Sequence, residues 1–475
     1  MARRTEGDVA SKTDARTVAP GARTWLERFR DPEGSSGTLP YLDGIRAFAV
    51  LMIFLRHAWG LSGSPPLVID LPLGMKLGFS SVMTMFSSGV DLFFVLSGFL
   101  LARGFLRADF QGLPVPDTRR YLLQRILRIG PPYWIALALI VFLFTPSLIR
   151  GEAVYSWKGA ESVLSHVFFA QMLNIDAFGS FNIAAPFWTI SIEMTFYLLL
   201  PWMVRLFFGQ RWLVSLPISI VLVLGWLFTV RYGLDDFVLR VVGEAGLGGY
   251  DEQVFRFFLS HAFPAHLFHF AVGITLCNLV VRRELGWRSS RMFQSLTGKR
   301  AGLTYFLLGL AVLVFWLKRH GSASLANNWG WPLNYMTAET YPALEYYFLE
   351  EIPFAMAYGL LILGASLGPE WIRRSLSTPV LCFFGVIGYA VYLLHMPLMY
   401  HIKSIPWMSL LVGSEYFAAL LGTSSVATLI LSVGFFVAVE RPSMLMARRV
   451  GRRSGEPSLS PGMGRAEVRA GHPHS

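Results

Sequence analysis

Ten stretches of about 20 mostly apolar residues, set apart by charged or glycine-rich connections, leave this chain little choice of architecture. They lie near 42–61, 82–104, 129–149, 187–207, 212–231, 256–280, 301–317, 352–368, 379–400 and 418–439. A segment of that length spans the hydrocarbon core as a helix, which satisfies its backbone polar groups internally. The rest of the composition agrees. Only 15% of the residues are charged, against roughly 25% in a soluble domain. The expected fold class is all-α: a polytopic membrane protein of about ten transmembrane helices.

The basic residues give those helices a direction. In a soluble chain a net charge of +11 would suggest nucleic acid. Here it marks one side of a membrane, and no nucleic-acid partner is expected. With the N-terminus placed inside, the cytoplasmic segments collect Arg3, Arg4, Arg16, Arg23, Arg28 and Arg30, then Arg103, Arg107, Arg119, Arg120, Arg125 and Arg128. Arg205, Arg211, the 282–300 stretch, Arg373, Arg374 and the tail beyond Arg441 follow with the same sign. The outer loops are acidic instead: 232–254 holds Asp235, Asp236, Glu244, Asp251 and Glu252, and 318–351 holds Glu339, Glu345, Glu350 and Glu351. Both termini are therefore expected in the cytoplasm. The shortest segment is 301–317, and 160–186 leaves room for a short re-entrant helix around 163–172.

Residues 1–40 and 443–475 are polar, rich in Gly, Ser and Arg, and without apolar periodicity, so both read as disordered cytoplasmic tails around a membrane domain at 41–442. Cys277 and Cys382 fall within apolar segments and read as small core residues with no disulfide. The chain carries no CxxC, HExxH, P-loop or dinucleotide fingerprint, and no metal is expected.

Ionisable residues inside the apolar segments carry the chemistry. Segment 46–57 reads RAFAVLMIFLRH. Eleven residues separate Arg46 from His57, which at 3.6 residues per turn is within about 20° of three full turns and about 16 Å along the axis. The two side chains share a face at opposite depths. As a pair of end residues they would be a snorkelling Arg and an interfacial His. Asp91 lies in GVDLFFVLSGFL, Glu193 in FWTISIEMTFYLLLPW and His395 in IGYAVYLLHMPL, each within apolar sequence. An unpaired carboxylate at the centre of a membrane helix costs roughly 2.5–3.5 kcal/mol. Asp91, Glu193, His57 and His395 are therefore expected to satisfy one another in one outer-leaflet pocket. They would act either as interhelical clamps or as an acid/base site in which a carboxylate orients a histidine.

A second cluster lies on the cytoplasmic side. In RRYLLQRILRIGPPYW (119–134), Arg125 and Arg128 share a helix face at the depth of Arg46, and Pro131 and Pro132 are expected to break or kink the helix. Positive-inside flanking charge accounts for Arg119 and Arg120. For Arg125 and Arg128 the alternative is a phosphate clamp, since the guanidinium fork fits phosphate oxygens.

These residues resemble the acyltransferase-3 family of multi-pass membrane O-acyltransferases. The matching pieces are YLDGIRAFAVLMIFLRH (41–57), GVDLFFVLSGFLL (89–101), RRYLLQRILRIGPPYW, FWTISIEMTFYLLLPW, GYAVYLLHMPL (388–398) and VERP (439–442), in family order. The family's Arg–ten residues–His motif falls on Arg46 and His57, its Arg-x-x-Arg on Arg125 and Arg128, and the Glu of its Trp-Ser-x-Ser-x-Glu-like segment on Glu193. The chain departs at Ala47, where Gly is frequent, at Thr189, where Ser is usual, and at Arg56, an added charge beside His57. No hydrolase-like domain such as some relatives carry is expected after the tenth helix.

The resemblance implies transfer of an acyl group, often acetyl from acetyl-CoA, to a hydroxyl of a carbohydrate, lipid-linked glycan or small molecule. Arg46, Arg125 and Arg128 would hold the acyl-CoA phosphates, and His57 would be the general base, with Asp91 or Glu193 orienting it and His395 the further candidate. The partners are then acyl-CoA, the hydroxyl acceptor and membrane lipid, with an inner-membrane location. A proton-coupled transporter using the intramembrane Asp, Glu and His is the alternative, and a scaffold with a degenerate site is a third. The inverted repeat that would favour transport is not evident in the sequence.

Overall fold

A computed structural model describes residues 25–30, 39–70, 76–144, 156–180, 186–230, 258–286, 290–324 and 351–452. Met1–Thr38 and Leu39–Ser475 are separate units. In the first, the helix Trp25–Arg30 is described, within a stretch read from composition as disordered. The second holds ten principal helices. They are α1 (Pro40–Leu61), α2 (Gly89–Gln111), α3 (Thr118–Leu139), α4 (Trp188–Met203), α5 (Trp212–Phe228), α6 (Phe263–Glu284), α7 (Lys299–Ser324), α8 (Glu351–Leu367), α9 (Gly388–Lys403) and α10 (Gly413–Phe435). A two-stranded antiparallel hairpin, β1 (Val68–Asp70) and β2 (Lys76–Gly78), pairs Val68 with Gly78 after α1.

Each expected apolar segment falls on a helix, although they do not all qualify as spans. Among the described residues seven helices are long and apolar enough to cross a membrane, or nine if two bent pairs each count as one. The bent pairs are Glu351–Leu367 with Glu370–Leu376, at 112°, and Pro379–Val386 with Gly388–Lys403, at 67°. The fifth segment forms a helix of 17 residues, apolar but short. Chain alternation is nevertheless visible in the packing. The end of α2 meets the end of α6 through Arg103 and Glu284 at 2.7 Å, and the start of α1 meets the end of α8 through Tyr41 and Ser366 at 3.2 Å. Helix ends expected on the same side thus pack together.

Three boundaries differ from the sequence reading. α3 begins at Thr118, well before the apolar stretch, because Asp117 caps it by accepting the Arg120 backbone N–H at 2.9 Å. It also runs unbroken through Pro131 and Pro132 and ends in a π-helical turn, Ile140–Phe144. The Tyr389 hydroxyl donates to the Ile129 carbonyl at 3.1 Å, supplying a partner in the turn that the prolines loosen. Third, Arg441–Arg452 is helical beyond the expected boundary at 442 and packs on α3, burying Met444 and Ala447. The rest of that tail lies outside the described residues. So do 145–149 of the third segment and most of the acidic loops. Between α3 and α4 a helix at Trp157–Val167 overlaps only the first half of the expected 163–172, and a second follows at Ile175–Ser180.

The centre of the molecule is the crossing of α2 and α6. It is close because glycine stands on both sides. A Cβ on Gly98 would lie 2.5 Å from the Phe270 carbonyl oxygen, and one on Gly273 would lie 2.2 Å from that of Val95. α6 is buried along most of its length, His269, Phe270 and Cys277 included. Around it the polarity is inverted relative to a soluble protein. Leu213, Val214, Ile218, Val221 and Leu222 of α5 and Val426 and Ile430 of α10 are exposed, as a lipid-facing surface requires. Histidines and carboxylates are inside.

Candidate active site

α1 and α9 lie side by side, and each brings one histidine to the same point. The His57 Nδ1 is 3.0 Å from the His395 Nε2, with the rings stacked at 5.1 Å between centroids. The other nitrogen of His395 fixes the protons. Its Nδ1 faces the carbonyls of Tyr392 at 2.8 Å and Val391 at 3.1 Å, both acceptors, so it carries hydrogen. In a neutral His395 the Nε2 is then an acceptor, and the His57 Nδ1 must be the donor. This assignment follows from the hydrogen-bond network. It leaves the lone pair of His57 on Nε2. His395 is 1% exposed, whereas His57 is half-buried and keeps an accessible edge. The tautomer of His57 is thus set by a second imidazole, itself held by helix carbonyls.

The structure thus joins His57 to His395 and leaves the two carboxylates elsewhere, so the expected four-residue pocket does not form. Glu193 accepts from the Ser97 hydroxyl at 3.0 Å and from Tyr197 one turn along α4. Arg128 and Arg46 are the cations near enough to act on it. Asp91, in the first turn of α2, faces the His269 Nε2 at 3.0 Å. The physical reason is that apolar sequence places a residue on its helix but does not say which neighbour that part of the helix meets. Among the described residues no contact links Asp91, Glu193 and His57 into one proton relay.

The arginines do converge. Arg128 has Arg125 and Arg46 close enough to act on its charge, with Glu440 and Tyr197 also near. Arg46 donates to Asp43 at 2.8 Å, and Arg125 lies over the Tyr121 ring at 5.5 Å. All three arginines are partly accessible. Glu440, buried at the end of the π-helical turn Phe436–Glu440 that follows α10, accepts from the Ala390 backbone and was not anticipated beyond its place in VERP. α9 connects the two centres. Tyr389, Tyr392 and His395 recur every third residue on one face. The Tyr392 hydroxyl meets Thr189 and the Pro186 carbonyl, so the unusual Thr189 keeps a hydroxyl in use. Arg56 packs over the Trp59 ring at 5.4 Å.

Sequence reasoning missed His266, His269 and Glu351, which surround Asp91. The signal was present as His-x-x-His in the sixth segment, but Glu351 reads as loop charge until the fold brings it back.

The profile of the acyltransferase domain family Acyl_transf_3 matches residues 39–439. Among curated proteins the chain is similar to nodulation protein 10 of Rhizobium leguminosarum bv. viciae, 28% identical over 192 residues that cover 38% of this chain and 47% of that one. It is similar to the peptidoglycan O-acetyltransferase OatA of Listeria monocytogenes, 28% identical over 172 residues (34% of this chain, 24% of that one). The O-acetyltransferase OatA of Staphylococcus aureus is 31% identical over 176 residues, 35% of this chain and 24% of that one. The chain therefore spans less than half the length of these relatives. No solved structure matches it.

Proposed function

The chain belongs to the acyltransferase-3 family, whose domain occupies residues 39–439, and from that premise we propose that it is a membrane O-acyltransferase. It takes an acyl group, acetyl foremost, from acyl-CoA on the cytoplasmic side and passes it to a hydroxyl on the outer side. The acceptor is a carbohydrate or lipid-linked glycan of the cell envelope, or a small molecule, and the membrane is the plasma membrane. The names of the Listeria and Staphylococcus relatives support acetyl as the group, and that of the Listeria relative supports a cell-wall glycan as the acceptor class.

The observation that carries this reading is the His57–His395 contact. As the acceptor oxygen attacks the thioester carbonyl carbon, the His57 Nε2 takes the hydroxyl proton. The C–S bond breaks, and the same nitrogen returns the proton to the departing CoA sulfur, leaving an ester and free CoA. His395 holds the tautomer and shares the imidazolium charge. At the other end Arg46, Arg125 and Arg128 hold the CoA phosphates. Arg46 and His57 lie about 16 Å apart along α1, comparable to an extended pantetheine arm. Glu193 acts on the arginine side, positioning Arg128 and Arg46 and not the base, and Asp91 stands outside the transfer path. Ten crossings with both termini cytoplasmic put the arginines inside and the histidines outside.

The test is transfer from radiolabelled acetyl-CoA to envelope glycans by the full chain in membranes, followed by mass spectrometry of the products. His57→Ala is expected to lower turnover by about 10²–10⁴-fold, the range for a lost general base, with unchanged protein level. His395→Ala is expected to lower it less, because His57 remains. Near-normal turnover in His57→Ala overturns the assignment.

A further inference from the structure

Outside the acyl-transfer path, the buried group around Asp91 has a donor set that the proposed reaction leaves unused. Asp91, His266, His269 and Glu351 each present one ligand atom, and these atoms all lie within 4.8 Å of one another. They come from three helices. Asp91 is in the first turn of α2, His266 and His269 are one turn apart near the start of α6, and Glu351 opens α8. These three helix beginnings share a side of the molecule, the outer side in the proposed topology.

Hydrogen bonding does not account for the arrangement. The His269 Nε2 is 3.0 Å from the Asp91 Oδ1 and 3.4 Å from the Glu351 Oε2, and the His266 Nδ1 is 3.3 Å from that same Oε2. Yet among the described residues none of the four ring nitrogens, nor the Glu351 Oε2, has an aligned hydrogen bond. His266 and His269 are 2% and 0% exposed, so water has little access to them. Two imidazolium ions would balance the carboxylate charge, but each would need two aligned acceptors. Two neutral imidazoles leave the buried Asp91 carboxylate and the partly shielded Glu351 carboxylate, 23% exposed, uncompensated, which is costly away from bulk water.

One divalent cation resolves both difficulties. It turns converging lone pairs into ligand bonds and cancels the charge of both carboxylates. Zinc bonds of about 2.0–2.2 Å to N and O place tetrahedral ligand atoms about 3.3–3.6 Å apart, near the three contacts of 3.0, 3.3 and 3.4 Å. The His269 Nε2 faces both carboxylates, 3.0 Å from the Asp91 Oδ1 and 3.4 Å from the Glu351 Oε2. Phe94 and Trp188 flank His266, with centroids at 5.0 and 5.6 Å, and shield it with apolar surface. We infer that Asp91, His266, His269 and Glu351 form a binding site for one divalent transition-metal cation, zinc foremost, that ties the beginnings of α2, α6 and α8 together.

The test uses the full chain in detergent, purified through a tag that contains no histidine. Inductively coupled plasma mass spectrometry after growth with added zinc and removal of free metal is expected to find about one zinc per chain. It should find background metal in His269→Gln and in the Asp91→Asn/Glu351→Gln pair. Manganese, iron, nickel and copper are read in the same measurement, and one of them at that stoichiometry would supply the cation's identity. Because these variants risk misfolding, the wild-type protein is also stripped with a chelator and titrated calorimetrically with zinc chloride. Saturable one-to-one binding and recovery of the lost melting temperature are expected. No bound metal after purification together with no heat on titration overturns the site, as does undiminished metal in folded variants. Acetyl transfer is not a readout, so failure here is distinct from failure of the proposed reaction.

Discussion

Arg128 shows how much a single side chain is asked to do. It stands among two other arginines, Arg125 and Arg46, with the carboxylates Glu440 and Glu193 also near, a group of guanidinium forks that can take up a further anion. On the proposed reading that anion is a phosphate of CoA. Arg128→Lys keeps the charge but loses the planar fork, and Arg128→Ala loses both. A charge-assisted hydrogen bond contributes roughly 1.5–3 kcal/mol, so Arg128→Ala is expected to weaken acetyl-CoA binding about 10- to 150-fold, and Arg128→Lys by less. Calorimetric titration in detergent measures both. Unchanged affinity in the two variants would limit these arginines to setting topology. The role of this residue type is legible from its spacing with Arg125. Its acidic neighbours are not, because Glu440 reaches it from the turn after α10 and Glu193 from α4.

At the scale of elements, the α2–α6 crossing decides where the buried histidines lie. Gly273 faces the backbone of α2, and an added methyl would have to push the helices apart, since the contacted atom is a carbonyl oxygen with no rotamer to change. Gly273→Ala is expected to destabilise the protein by about 1–3 kcal/mol, as overpacking does. Gly225 in α5 is a matched control, with nothing within 4 Å of its added Cβ. Gly225→Ala should change stability by no more than about 0.5 kcal/mol or raise it slightly through helix propensity. Thermal unfolding in one detergent compares the two directly. Equal melting temperatures for both variants would mean that the helices separate at no cost.

For the whole molecule, orientation rests on charge. The connections expected inside hold arginine at every turn, and those expected outside hold carboxylates. Reporter fusions after Gly112 should therefore signal cytoplasm, and those after Gly248 the outer side. A cytoplasmic signal at Gly248 would remove α5 as a crossing and invert the sidedness of every helix before it or after it. The bent α8 and α9 pairs make this measurement worthwhile, because length and composition alone give seven crossings or nine.

The sequence by itself determined the helical class and the position of each apolar segment, because these depend on hydropathy and on a helical rise that is the same everywhere. It also placed Arg46 and His57 on one face of α1, since both lie within one element. The tertiary structure decided the pairings. His57 met His395 and not a carboxylate, Glu193 went to the arginines, and Asp91 went to His266, His269 and Glu351. These contacts depend on how each helix is turned about its axis and on which helix packs beside it. Close approaches such as Gly98 against Phe270 set both, and they exist only once residues far apart in the chain are brought together.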